Sequence, residues 1–139
     1  MGASSITLGA LFKHLALVED YHVSVRLLGR EPSSPFNTID WDTEPNWDWT
    51  RAPSDTPDAL YALWQVNVDQ SRRAVAHVLA NGGLDQRMAL KWPDGRAPSL
   101  RRTFVDLIEE HARHVGHADV IRESIDGVVG EDPPGVHDR

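Results

Sequence analysis

Towards its C-terminal end the chain reads Glu109-Glu110-His111-Ala112-Arg113-His114-Val115-Gly116-His117-Ala118-Asp119. On a helix, residues four apart lie one above the other, so Glu110 and His114 project together and His117 continues the row. A carboxylate oxygen and an imidazole nitrogen on adjacent turns can bind one divalent ion at about 2.0–2.2 Å each. Helical bundles use a related Glu-x-x-His pair for this purpose, whereas the spacing here is Glu-x-x-x-His. Two ligands hold a divalent ion poorly, so a third must come from another element. His14, within Leu11-Phe12-Lys13-His14-Leu15, stands three residues after Leu11 and four before Val18, on the apolar side of its helix. A buried histidine needs a polar partner, and a metal held by Glu110 and His114 would supply one.

The competing reading is a helix-surface Glu–His pair worth about 0.2–0.5 kcal/mol, with the histidines on a solvated face. His111 is assigned to such a face. His22 lies about 12 Å from His14 along the helix axis, and His77 and His137 have no evident partners, so these three stay outside the site. His117 and Asp119 are the candidates for orienting the ligands from behind, as neighbours of metal ligands generally do.

Three helices must position these groups. The first runs from about Ser5 to Leu28, with Leu8, Leu11, Phe12, Leu15, Val18 and Leu28 near one stripe, Ser4 or Ser5 as cap and Gly29 as stop. The second runs from about Pro57 to Ala80, opened by Thr56-Pro57 and closed by Asn81-Gly82-Gly83. The third begins at Ser99 and continues to Gly127, with Leu100, Phe104, Leu107, Ile108, Val115, Ala118 and Ile121 as its buried stripe. Helices of this size are each ~33–42 Å long, and a bundle is their natural architecture. A fourth helix, from this chain or a neighbour, would close the core better than three.

Residues 30–55 read as a long loop without regular structure, rich in Pro and Asp and carrying Trp41, Trp47 and Trp49. Such loops are uncommon inside a compact domain and often functional. The tryptophans are expected to fold back as a hydrophobic lid, a role compatible with lining a substrate mouth. Pro93-Asp94-Gly95 is a turn signal within residues 84–98, where a short hairpin is expected. The domain is placed at residues 1–129, followed by a disordered tail at 130–139.

Composition bounds the function. A chain of 139 residues with 40% hydrophobic and 25% charged residues makes one folded domain. Its net charge of −7 argues against nucleic acid or an anionic membrane as partner. There is no cysteine, which excludes disulfides, thiolate zinc sites and cysteine nucleophiles. No signal peptide and no run of about 20 apolar residues is present, so the expected compartment is the cytoplasm. Neither a Gly-x-Ser-x-Gly elbow nor a phosphate-cradling glycine loop occurs.

Two segments carry a family resemblance. Thr7-Leu-Gly-Ala-Leu-Phe-Lys-His14-Leu-Ala-Leu-Val-Glu19 resembles the histidine-bearing helix of the DinB-like superfamily. Ile108-Glu-Glu110-His-Ala-Arg-His114-Val-Gly-His117-Ala-Asp119-Val-Ile-Arg122-Glu123 is similar to the C-terminal signature of its actinobacterial branch, which is related to mycothiol-dependent maleylpyruvate isomerase. The resemblance implies an all-α four-helix bundle holding a divalent metal, zinc first and nickel second. Its ligand set, carried over residue by residue, is His14, Glu110 and His114. Many relatives have histidine where Glu110 stands, so this chain matches the glutamate variant. Family members usually carry a helix before the histidine-bearing one, which this chain lacks. Either the start is placed late or a partner completes the bundle, and a homodimer is expected.

A His2Glu set leaves a coordination position open and gives a net +1 centre with a divalent ion, favouring a thiolate or hydroxide as the next ligand. The resulting expectation is a thiol S-transferase or isomerase in which the metal lowers the pKa of mycothiol, bacillithiol or a similar small thiol for attack on a small-molecule electrophile. Arg113, Arg122 and the loop tryptophans are candidates for orienting that substrate. The alternatives are a metal-dependent hydrolase, a non-catalytic metal-binding dimer, and a structural bundle with incidental histidines.

Overall fold

The computed structural model describes residues 6–129. Helix α1 spans Leu8–Glu19 and continues without a break into a π-helical stretch, Asp20–Leu27. The single-turn α2 covers Trp47–Thr50, and the two long helices α3 and α4 cover Pro57–Gly82 and Leu100–Asp126. No strand occurs among the described residues; one antiparallel bridge joins Arg87 to Ser99. The all-α bundle expected from the helical periodicity is what the chain forms. The expected tail at 130–139 lies outside the described residues, as do Ser4 and Ser5.

Local chemistry explains the boundaries. Thr7 caps α1 by accepting from Ala10 N at 3.1 Å. Thr56 Oγ1 accepts from Ala59 N at 3.2 Å with Pro57 in the first turn, where its missing N–H costs nothing. Ser99 caps α4 through Arg102 N, and Gly127 closes it in the left-handed region at φ 71°.

The π-helical end of α1 is secured by a neighbour. A helix C-terminus leaves carbonyls without intrahelical donors. Here Leu90 N and Ala89 N donate to Arg26 O and Leu27 O at 3.0 and 3.1 Å. The same segment turns at residues 92–96, where Trp92 N donates to Arg96 O and Gly95 N to Trp92 O, both at 2.9 Å. The hairpin expected at 84–98 is therefore a turn pinned by one bridge, without strands.

Helix α1 lies between α3 and α4, which pack chiefly on it and not on each other. Val23, Leu27, Val78, Met88 and Leu100 form the main core, and Ala10, Ala52 and Leu60 a second, smaller one. This arrangement corrects the stripe assigned to α4. Leu100 is fully buried, but Ile108 and Val115 are 67% and 56% exposed. They sit on the flank of the apolar arc that α1 does not cover.

The segment read as a loop without regular structure carries α2 and two 3₁₀ turns, Phe36–Thr38 and Ala52–Ser54. Phe36 is buried, and the buried Asp20 carboxylate ties the segment down by accepting from Ser33 N at 3.0 Å and from Ser33 Oγ. Lys13, on α1, is only 3% exposed and meets the segment's far end. Its ammonium pairs with Asp55 Oδ2 at 2.6 Å and lies 3.8 Å from the centroid of Trp47. Both contacts give the buried ammonium partners that its burial would otherwise deny it.

Candidate metal centre

Helix α1 supplies His14 and α4 supplies Glu110 and His114, whose i, i+4 spacing puts both on the turn facing α1. Each offers one ligand atom, and the three atoms lie within 4.8 Å of one another. Glu110 Oε2 is 3.4 Å from His114 Nε2 and 3.8 Å from His14 Nε2. These separations exceed the 2.7–3.2 Å of an N–H···O hydrogen bond. They approach the spacing of ligands around a shared ion, since tetrahedral donors at about 2.1 Å stand roughly 3.4 Å apart. Two neutral nitrogens and a carboxylate oxygen are also a ligand set suited to zinc and its neighbours. By distance and by donor chemistry the cluster fits a divalent ion.

The tautomer of His14 is set from outside the cluster. Its Nδ1 is 2.7 Å from Asp48 Oδ2, and Asp48, on α2, is 4% exposed. A carboxylate accepts from Nδ1–H, the tautomer that would leave Nε2 available to an ion beside Glu110. The indole of Trp49, the next residue, stacks on the same imidazole with centroids 4.5 Å apart and planes 28° from parallel. Thus α2, a single turn, contributes a hydrogen bond and a stacking face through consecutive residues.

His114 is buried, and its pKa is lowered below the ordinary imidazole value. Desolvation is the main cause, and the neighbouring His14 adds to it; the Glu110 carboxylate opposes both. The neutral form is the one that can ligate a metal. His117 Nδ1 lies 3.3 Å from His114 Nδ1, which places His117 directly beside that imidazole.

The other expected site residues are placed differently. Asp119 is exposed. Arg113 pairs with Glu109 at 3.4 Å and Arg122 with Asp126 at 3.5 Å, both along the open side of α4. His111 corrects its assignment to a solvated face: its ring is half-buried against α1, with Nε2 3.5 Å from the Glu19 carboxylate. The tryptophans divide their work, since Trp49 stacks on His14, Trp47 covers Lys13, and Trp41 packs edge-on to Trp47. Asp48 and Trp49 are the contributors that spacing could not reveal. Their only signal in the sequence is a Trp-Asp-Trp run inside a long polar segment.

Comparison with known families decides the assignment, because the mycothiol-S-transferase family model matches residues 1–127, almost the whole described chain and all the cluster residues. The chain belongs to the mycothiol-S-transferase family. This agrees with the DinB-like resemblance of its two histidine-bearing segments. No curated protein and no solved structure is significantly similar to the chain. No helix of the described residues is long and apolar enough to cross a membrane.

Proposed function

We propose that the protein is a divalent-metal-dependent S-transferase, or an isomerase of the same chemistry, that uses a mycothiol-type thiol. The observation that carries this reading is the convergence of His14, Glu110 and His114 from two helices within 4.8 Å, in a member of the mycothiol-S-transferase family. These three side chains would hold the ion, zinc before nickel. An ion there supplies the positive charge that lowers a thiol's pKa and keeps it as the thiolate.

The chain's own residues do the rest. Asp48 fixes the proton of His14 on Nδ1, Trp49 fixes the plane of the ring, and His117 backs His114. In the transfer, a thiol R–SH and an electrophile R′–X give R–S–R′ and HX. The S–C bond forms, the C–X bond breaks, X leaves with the bonding pair, and the thiol proton accompanies it. The burial of His114 and the stacking of Trp49 on His14 shield two of the three side chains from water, which supports a thiol over water as the nucleophile.

The reading includes a homodimer, supported by the uncovered apolar residues of α4, among them Val105, Ile108 and Val115. It places the protein in the cytoplasm, where small thiols are kept reduced.

Two measurements test it. Elemental analysis of untagged protein is expected to give close to one zinc or nickel per chain, largely lost in His114→Ala. In cobalt-substituted protein, added thiol is expected to produce a thiolate-to-cobalt charge-transfer band, followed by loss of free thiol when an alkyl halide is supplied. Metal content that His114→Ala leaves unchanged would refute the site. A loaded protein that shows no thiolate band leaves a metal-binding bundle without this chemistry.

A further inference from the structure

Beside the cluster, a cavity of about 440 Å³ runs along α1 and its π-helical continuation from His14 to Val25. Leu17, Tyr21 and Val25 line it from the helix, while Pro32, Phe36 and Trp41 line it from the segment that follows. Its size is that of a site for a small organic molecule.

Three polar side chains on its walls have partners of their own. Asp20 accepts from Ser33 N and Oγ. His22 Nδ1 meets Val18 O at 2.9 Å, and His14 Nδ1 meets Asp48 at 2.7 Å. No lysine or arginine lines the cavity. An anionic ligand would lose its hydration there without gaining a counter-charge, and a cation would find the one wall carboxylate, Asp20, already bonded to Ser33; both are unfavourable. An apolar ligand needs only what the walls offer. The contrast lies on the other side of the same segment, where a cavity of about 400 Å³ is lined by Arg30, Glu31, Arg73 and His77.

We infer that this slot selects the electrophile, and that the electrophile is uncharged with an aromatic or alkyl body. The inference rests on the thiol-transfer reading for its chemistry, because the slot ends on His14, whose Nε2 faces Glu110. A molecule lying in the slot presents one end to the imidazole of a proposed ligand, beside the sulfur's position. Leu17, Val25 and Trp41 are then specificity-determining residues, and the thiol's own polar body is excluded from the slot by the same desolvation cost.

Direct binding separates this inference from the transfer reading. N-phenyl-1-naphthylamine, an uncharged dye that brightens in apolar surroundings, is expected to bind the thiol-free protein saturably at one site per chain. Val25→Arg is expected to weaken that binding at least ten-fold while zinc content and far-ultraviolet dichroism stay as in the wild type. Tyr21→Lys, at a side chain that is 47% exposed, puts a charge on the same wall should Val25→Arg fail to fold. In transfer assays with n-alkyl bromides from ethyl to hexyl, KM is expected to fall about four-fold per methylene, and the trend to flatten in either variant. Dye binding that both variants abolish, in a protein with no transfer activity, would uphold the slot and overturn the thiol reading. Transfer with a KM indifferent to chain length, or dye binding unmoved by both variants, would overturn the slot.

Discussion

Asp48→Asn isolates the contribution of α2 to the cluster. The carboxylate is 4% exposed and sits 2.7 Å from His14 Nδ1, so its bond to the imidazole is charge-assisted and poorly screened. Losing such a partner of a ligating histidine typically costs 10–100-fold in metal affinity, or about 1.4–2.7 kcal/mol. Trp49 still holds the ring plane in the variant. The asparagine carbonyl can still accept the Nδ1 proton, so only the charge is lost. We therefore expect Asp48→Asn at the lower end, roughly ten-fold weaker zinc binding, and Asp48→Ala near the upper end, roughly one hundred-fold. The assay is competition for zinc against a chromophoric chelator at fixed pH, with far-ultraviolet dichroism to confirm the fold. His14→Ala, run beside them, is expected to lose stoichiometric binding. Zinc affinities of both Asp48 variants within two-fold of the wild type would refute the argument that this residue tunes the ligand.

Other consequences follow from the packing and the electrostatics. Gly29 holds φ +66°, and a Cβ there would come within 2.8 Å of Ala89 Cβ; Gly29→Ala is therefore expected to lower stability by at least about 1–2 kcal/mol in urea unfolding. Leu100→Ala, at a fully buried position, is expected to cost about 2–5 kcal/mol in the same measurement. Lys13→Met keeps the aliphatic packing but removes the contacts to Asp55 and Trp47. About 1–2 kcal/mol should be lost, with a change in tryptophan fluorescence as the loop loosens. Because the folded-state pKa of His114 is depressed, the unfolded chain binds the extra proton first as pH falls. The stability of metal-free protein is expected to be fully present above the ordinary imidazole value, near pH 6.5, and to decline below it. His114→Gln should flatten that decline in denaturant titrations run from pH 8 to pH 5.

The helices and the three proposed ligands were legible because both depend on local spacing. Thr56-Pro57 and the helical start at Ser99 announce their helices by capping chemistry, and Glu110 and His114 align by the geometry of one helix. What depends on the partner was not legible. An apolar arc shows that α4 has an inner side, but only the position of α1 decides that Leu100 lies inside while Ile108 and Val115 stay out. The same holds for His111, which reads as a surface histidine until Glu19 is placed opposite it. Asp48 and Trp49 come from a segment with no periodicity to orient them. The π-helical end of α1 keeps the same residues apolar, so its hydrophobic pattern does not distinguish it from an ordinary helix.

The cluster draws on two helices far apart in the sequence, since His14 comes from α1 and Glu110 and His114 from α4. A chain emerging from the ribosome exposes His14 well before Glu110 and His114. During that interval one imidazole alone cannot retain an ion, and α1 lacks α4 as a neighbour. On the proposed function, an ion can be held by these three side chains only once α4 has docked on α1. A chain cut short before α4 is therefore expected to bind no stoichiometric metal, so the proposed chemistry would depend on the docking of that helix.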